Sequence, residues 1–175
     1  MADPAQVGAL VSHVVERLGP VEVLVNNAGL GIFKSFADLT LAEWDRTMAT
    51  NLRSLYVVTR EVLPAMRKRG HGAIVNIASL SGRHGLAGGT AYAASKHAML
   101  GFSRSLMLEV RKEGVRVITI CPGSVDTSMM RDQAMLSVAL DRVLRAEDVA
   151  ATVVSVLSLP ERALVSELDI RPTNP

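Results

Sequence analysis

The stretch Val115-Arg-Val-Ile-Thr-Ile-Cys-Pro-Gly123 decides the fold. Its apolar residues run nearly unbroken instead of alternating with polar ones, as expected for a strand buried on both faces of a parallel sheet. Pro122-Gly123 then turns the chain. Two earlier stretches repeat the plan: Val21 to Asn26, which runs into Asn27-Ala28-Gly29, and Ala73 to Ala78, which runs into Ser79. Leu164 to Ile170 reads as a last strand, with Glu167 and Asp169 on its more exposed side.

Between the strands the apolar residues switch to helical spacing. Asp3-Pro4-Ala5-Gln6 combines an N-cap, a proline at the first helical position and a Gln three residues after the cap. Val7, Leu10, Val11, Val14, Val15 and Leu18 follow at helical intervals until Gly19-Pro20. Thr40-Leu-Ala-Glu43 is a capping box that opens a long helix over 40–69. Leu41, Trp44, Met48, Leu52, Leu55, Val58 and Val62 are its expected buried stripe, and Pro64 is expected to bend its last turn. A third helix is predicted over 91–113, with Ala94, Ala98, Gly101 and Ser105 as small residues that let another helix approach, and a fourth over 146–158. Residues 128–143 between them are Met-rich and irregular. Helix and strand thus alternate four times, which predicts one α/β domain over 1–175 built on a parallel sheet with right-handed crossovers.

Composition narrows the function. The chain has 175 residues, enough for one domain with a real core, and a net charge of only +2. No basic run interleaved with aromatics suggests nucleic acid, and Arg67-Lys68-Arg69 falls where a helix C-terminus favours cations. The four histidines lack metal-ligand spacing, so no metal is expected. No apolar run reaches the ~18 residues of a membrane span, and no signal-peptide pattern opens the chain. Cys121 is the single cysteine, which excludes an internal disulfide and fits a reducing, cytoplasmic setting.

Ligands of parallel sheets sit beyond the carboxyl ends of the strands. The rim so defined carries Asn26-Asn27-Ala28-Gly29, Ser79 and Pro122-Gly123. Tyr92 and Lys96 are four residues apart on a predicted helix, hence one turn apart on one face. A phenol beside an ammonium is a proton donor whose pKa the positive charge draws down from about 10. With the Ser79 hydroxyl returned by its loop, the three could polarise and protonate a carbonyl.

These residues resemble the short-chain dehydrogenase/reductase family. The resemblance rests on Asn26-Asn27-Ala28-Gly29 after a strand, Asn51 in the long helix, Ser79, Tyr92-x-x-x-Lys96 and Pro122-Gly123-x-Val125-x-Thr127. It implies a Rossmann-like doubly wound fold and an oxidoreductase using NAD or NADP on a small carbonyl or alcohol. It further implies that Tyr92 is the general acid/base and that Lys96 lowers the pKa of Tyr92 and holds the nicotinamide ribose. Ser79 would orient the substrate oxygen, and Asn51 would support a relay water. Asn26 to Gly29 would line the adenosine side, while Pro122, Gly123, Val125 and Thr127 would cover the nicotinamide. Homodimers or homotetramers through helices 40–69 and 91–113 are also implied.

The family's first strand, Gly-rich phosphate turn and NAD/NADP selector have no counterpart here. The expectation is an N-terminally incomplete domain, the C-terminal portion of the fold, with residues 1–19 as the helix before the family's fourth strand. Strand 21–26 should then be an apolar sheet edge, and the chain poorly stable or prone to associate. A second reading of the chain is a non-catalytic fragment serving as an interaction module.

Overall fold

The computed structural model describes residues 3–131 and 142–173. Four strands form one parallel sheet in the order β1-β2-β3-β4: β1 (Val23–Asn26), β2 (Gly72–Ile77), β3 (Val115–Pro122) and β4 (Glu167–Ile170). Sequence order and spatial order coincide, and helical crossovers between the strands make every pairing parallel. The helices are α1 (Pro4–Leu18), α2 (Leu41–Met48), α3 (Ser54–Arg69), α4 (Thr90–Val110), the short α5 (Ser128–Arg131) and α6 (Ala146–Leu157).

Side-chain alternation along each strand feeds two cores. On one face Val62 and Met66 of α3, Leu106 and Val110 of α4, Ile74 of β2 and Val115 and Val117 of β3 pack together, with Val11 of α1 against them. On the other face Val75, Ile118 and Ile120 meet Val156 of α6. The near-continuous apolar runs of β2 and β3 follow from this double cover. β1 lacks it: Val23 and Val25 remain 42% and 44% exposed at the edge of the sheet, as expected for an apolar edge.

The expected caps form. Asp3 accepts from the Ala5 and Gln6 amides, and Thr40 and Glu43 bond reciprocally at the start of α2. α3 ends at Gly70 and the turn after α4 ends at Gly114, both left-handed.

Four details depart from the sequence reading. The helix expected over 40–69 is interrupted by a π-turn at Ala49–Arg53, between α2 and α3. Leu41, placed in the buried stripe, is 75% exposed, and in α1 only Val7 of the apolar series is fully buried. The last strand is confined to four residues. Glu167 and Asp169 on it are not simply solvated: Arg83 bonds both, and Arg104 of α4 bonds Glu167. Part of the segment 128–143 lies outside the described residues; its first residues form α5.

Candidate active site

A cavity of about 350 Å³ opens beyond the carboxyl ends of the strands, and Ser79, Tyr92 and Lys96 all line it. Each is positioned by the element that carries it. Ser79 leaves β2 in extended geometry and caps the 3₁₀ turn Leu80–Gly82, its Oγ accepting from the Ser81 amide at 3.1 Å. Tyr92 and Lys96 stand one turn apart in the first part of α4, with Lys96 Nζ 5.7 Å from the Tyr92 ring centroid. Lys96 is only 4% exposed and donates to the Ile77 carbonyl at 2.8 Å, leaving two of the three ammonium donors.

The electrostatic balance differs from the simple picture of a phenol lowered by a neighbouring ammonium. Burial pushes the Tyr92 phenol above its usual range, and the Ser79 hydroxyl acts in the opposite direction. Burial also pulls Lys96 down to about 8. Both shifts have one cause: a dry pocket disfavours the charged form of either group.

Asn51 lies at the centre of the π-turn and is fully buried. Its Oδ1 accepts from the Leu30 amide at 2.7 Å, and its Nδ2 donates to the Leu30 carbonyl at 2.8 Å and to Ser95 Oγ at 2.9 Å. Asn51 thus clamps the loop after β1 to α4. π-Turns are frequent at functional positions because the extra residue re-aims a side chain within a helix.

The Asn26–Gly29 turn divides. Asn27 and Gly29 line the cavity. Asn26 instead donates across the sheet to Asn76 Oδ1 at 2.8 Å and to Thr59 Oγ1 at 3.2 Å, and Asn76 in turn donates to Ser103 Oγ at 2.8 Å. Ala28, beside Asn51 and Ser54, lies along a small crevice of about 50 Å³. Pro122, Gly123, Val125 and Thr127 all line the main cavity, held by the parallel bridge from Val125 to Leu144.

Sequence reasoning missed three participants. Ser95, between Tyr92 and Lys96, ties α4 to Asn51. Asn76 completes the cross-sheet amide pair; its position level with Asn26 was a readable signal once the strands were paired. Phe33 packs against Tyr92 with ring centroids 5.3 Å apart, and no spacing rule pointed to it.

Comparison with known proteins gives this arrangement a lineage. The model of the short chain dehydrogenase family matches residues 1–135. The chain is 41% identical over 152 residues to nodulation protein G of Azospirillum brasilense, covering 83% of this chain and 62% of that protein. It is 40% identical over 148 residues to an acetoacetyl-CoA reductase of Cupriavidus necator, covering 85% and 57%. It therefore spans less than two thirds of the length of either relative. Among solved structures, an actinorhodin polyketide ketoreductase variant with NADPH superposes with a TM-score of 0.89 at 34% identity, over 98% of this chain and 74% of that one. Levodione reductase superposes with a TM-score of 0.89 at 30% identity, over 98% and 73%. Fold, cavity position and family match agree: the chain belongs to the short chain dehydrogenase family.

Proposed function

We propose that this chain carries the proton-transfer and nicotinamide-facing residues of an NAD- or NADP-dependent oxidoreductase that interconverts a carbonyl and a secondary alcohol. The observation that carries the reading is the convergence of Ser79, Tyr92 and Lys96 on one cavity at the strand ends. The acetoacetyl-CoA reductase and ketoreductase relatives support the same class.

The residues present fit the nicotinamide end of such a cofactor. At Gly29 a Cβ would stand 3.8 Å from Lys96 Nζ, an ordinary contact distance, so the Gly29 backbone lies directly beside the ammonium. Lys96 would hold the ribose hydroxyls with its remaining donors, and the backbone of Asn27, Ala28 and Gly29 would face the adenosine side, with Asn26 fixing the start of that turn through its bond to Asn76. Pro122, Gly123, Val125 and Thr127 would line the nicotinamide. Bound there, a nicotinamide would supply the hydride chemistry at the carbonyl carbon.

The proton is the protein's task. A phenol whose pKa is raised by burial is neutral near pH 7, so Tyr92 enters a reduction as a donor while Ser79 holds the substrate oxygen by hydrogen bonding. The phenolate formed on donation lies beside Lys96, and a lysine titrating near 8 can return the proton. Asn51 would support the relay from that lysine to solvent. General acid catalysis of this kind contributes about 10²–10⁴-fold.

Two measurements test the reading. Calorimetric titration with NADH and NADPH is expected to give saturable binding to one of them. Tyr92→Phe is expected to leave that binding intact and abolish turnover, and full turnover without the hydroxyl overturns the mechanism. Self-association through α3 and α4, as homodimer or homotetramer, is a further part of the proposal. A groove of about 600 Å³ there, floored by Leu63 and Phe102 and edged by Tyr56, supports it. Light scattering reads it directly. No described helix is long and apolar enough to cross a membrane, and the buried free thiol of Cys121 fits the cytoplasmic setting we propose.

A further inference from the structure

The loop leaving β1 is fixed at two points. Asn51 holds both backbone groups of Leu30, at 2.7 and 2.8 Å. Four residues on, the Lys34 amide donates to the Gly88 carbonyl at 2.8 Å, and Lys34 Nζ bonds Glu43 of the α2 capping box at 2.6 Å. Between these anchors the chain has little freedom to move Phe33. The ring is folded back over Gly31: a Cβ there would lie 2.5 Å from Phe33 Cε2 and 3.1 Å from Met129 Sδ. A side chain at 31 would have to push the edge of the ring aside, because ring and thioether fill that space. The ring also meets Tyr92 at 5.3 Å between centroids, tilted by 53°.

The wall that Phe33 begins continues with Leu80, Leu86, Met129 and Met130. Among the described residues, the cavity lining holds no carboxylate and no arginine, and Lys96 is its one cationic side chain. A carboxylate or phosphate on the substrate would find no ion partner on this wall, while an apolar substituent would find aromatic, branched and thioether surface.

Resting on the function proposed above, we propose that Phe33 is a positioning and specificity-determining residue. Its anchored ring holds the Tyr92 side chain in place, excludes water from it, and shapes the site for neutral carbonyl compounds with a slim apolar substituent. The substituent would lie against Phe33, Leu86 and Met129, with the carbonyl oxygen between Ser79 and Tyr92. No bond to Phe33 forms or breaks; the ring acts by shape and by drying.

The decisive readout needs neither cofactor nor substrate. The chain has two tyrosines, so Tyr56→Phe leaves Tyr92 as the single phenol. In that background, phenolate absorbance at 295 nm is read within milliseconds of a jump to a series of alkaline pH values, before the chain can unfold. The charged group facing the ring is Lys96 from α4, with the Ser79 hydroxyl from the loop after β2. Phe33→Ala admits water while leaving both, so the Tyr92 midpoint is expected to fall by about one pH unit. Phe33→Leu keeps most of the apolar bulk and is expected to shift it by less than half as much, which also covers the case of an alanine variant that fails to fold. An unchanged midpoint in the folded alanine variant, or equal shifts in the two variants, overturns the proposal.

Turnover then separates this inference from the reading beneath it. With 2-octanone, a ketone branched beside the carbonyl, and a free 2-keto acid as probes, Phe33→Ala is expected to raise kcat/KM for the branched ketone relative to 2-octanone by about tenfold. The keto acid should remain the poorest of the three. A wild-type preference for the keto acid overturns the substrate class. If no variant turns over any ketone, the oxidoreductase reading fails, while the phenol titration still decides the role of Phe33.

Discussion

Replacing Lys96 by Met isolates the energetic consequence of keeping an ammonium in a dry pocket. Burial holds Lys96 at about 8 in the folded chain, against an ordinary value of 10.5. At about 1.4 kcal/mol for each tenfold change in proton affinity, the charged side chain destabilises the fold by about 3 kcal/mol below pH 8. Between pH 8 and 10.5 the unfolded chain keeps that proton while the folded chain releases it. The unfolded state therefore binds more protons across this window, and stability rises with pH. Met cannot titrate and removes the penalty, but it deprives the Ile77 carbonyl of its 2.8 Å donor, at a cost of about 1–3 kcal/mol. At pH 7 the variant should match the wild type or exceed it by up to about 2 kcal/mol. Urea unfolding of both chains from pH 6.5 to 10.5 is the assay. The wild type should gain about 2–3 kcal/mol on the variant between pH 7 and 10, with most of the change above pH 8. The other titrating lysines are common to both chains and cancel in the difference. Tyr92, held above its ordinary value, stays protonated through most of the window. A stability difference that is flat with pH would falsify the claim that burial sets the charge of Lys96.

Three further outcomes are expected. Gly114→Ala should destabilise by about 2–5 kcal/mol in thermal or urea unfolding, because the backbone there has φ +76° and a Cβ would lie 1.9 Å from the Gly70 carbonyl oxygen. Asn76→Ala should cost about 2 kcal/mol by the same measurement, since the Asn26 amide loses its 2.8 Å acceptor and Ser103 its donor; a loss under half that size would mean that water satisfies the Asn26 amide and the Ser103 hydroxyl in the variant. Thr40→Ala should lower stability by about 1 kcal/mol and weaken the hold of Glu43, whose carboxyl bonds to Lys34 and Thr40 bring down to about 2. Above pH 4.5 that carboxylate contributes to the fold, and its contribution is lost as pH falls toward 2, so an acid-unfolding midpoint higher in Thr40→Ala than in wild type is the expected signature.

Local chemistry was legible in the sequence wherever one residue type can do the job. The capping box at Thr40 and Glu43, the stop at Gly19-Pro20, and the buried runs of β2 and β3 all follow from short-range rules and all form. Ser79, Tyr92 and Lys96 were readable as a group because a parallel sheet brings its strand ends to one rim. The remainder depends on contacts between distant segments. The π-turn at Ala49–Arg53 interrupts a stretch whose periodicity reads as unbroken helix, and it is stabilised by Asn51 reaching Leu30 and Ser95. Asn26 looks like a turn residue until β1 and β2 are placed in register, when it faces Asn76. Leu41 fits the apolar period of its helix yet lies in solvent, because periodicity marks a face without saying what covers it. The Tyr92–Lys96 spacing predicted proximity correctly, but the sign of the phenol's shift depends on desolvation, which spacing cannot encode.

The order β1-β2-β3-β4, with no hairpin among the described residues, also sets when each strand can pair as the chain emerges from the ribosome. Asn26 and its partner Asn76 are 50 residues apart, and at about 5–20 residues per second their synthesis is separated by about 2–10 seconds. Throughout that interval the nascent β1 segment lacks the β2 strand with which it pairs. The backbone edge of Val23, Leu24 and Val25 that β2 will cover stays open until then. Codon-level pausing between residues 26 and 76 would lengthen that exposure, whereas pausing after β2 has cleared the exit tunnel would give the first strand pair time to close.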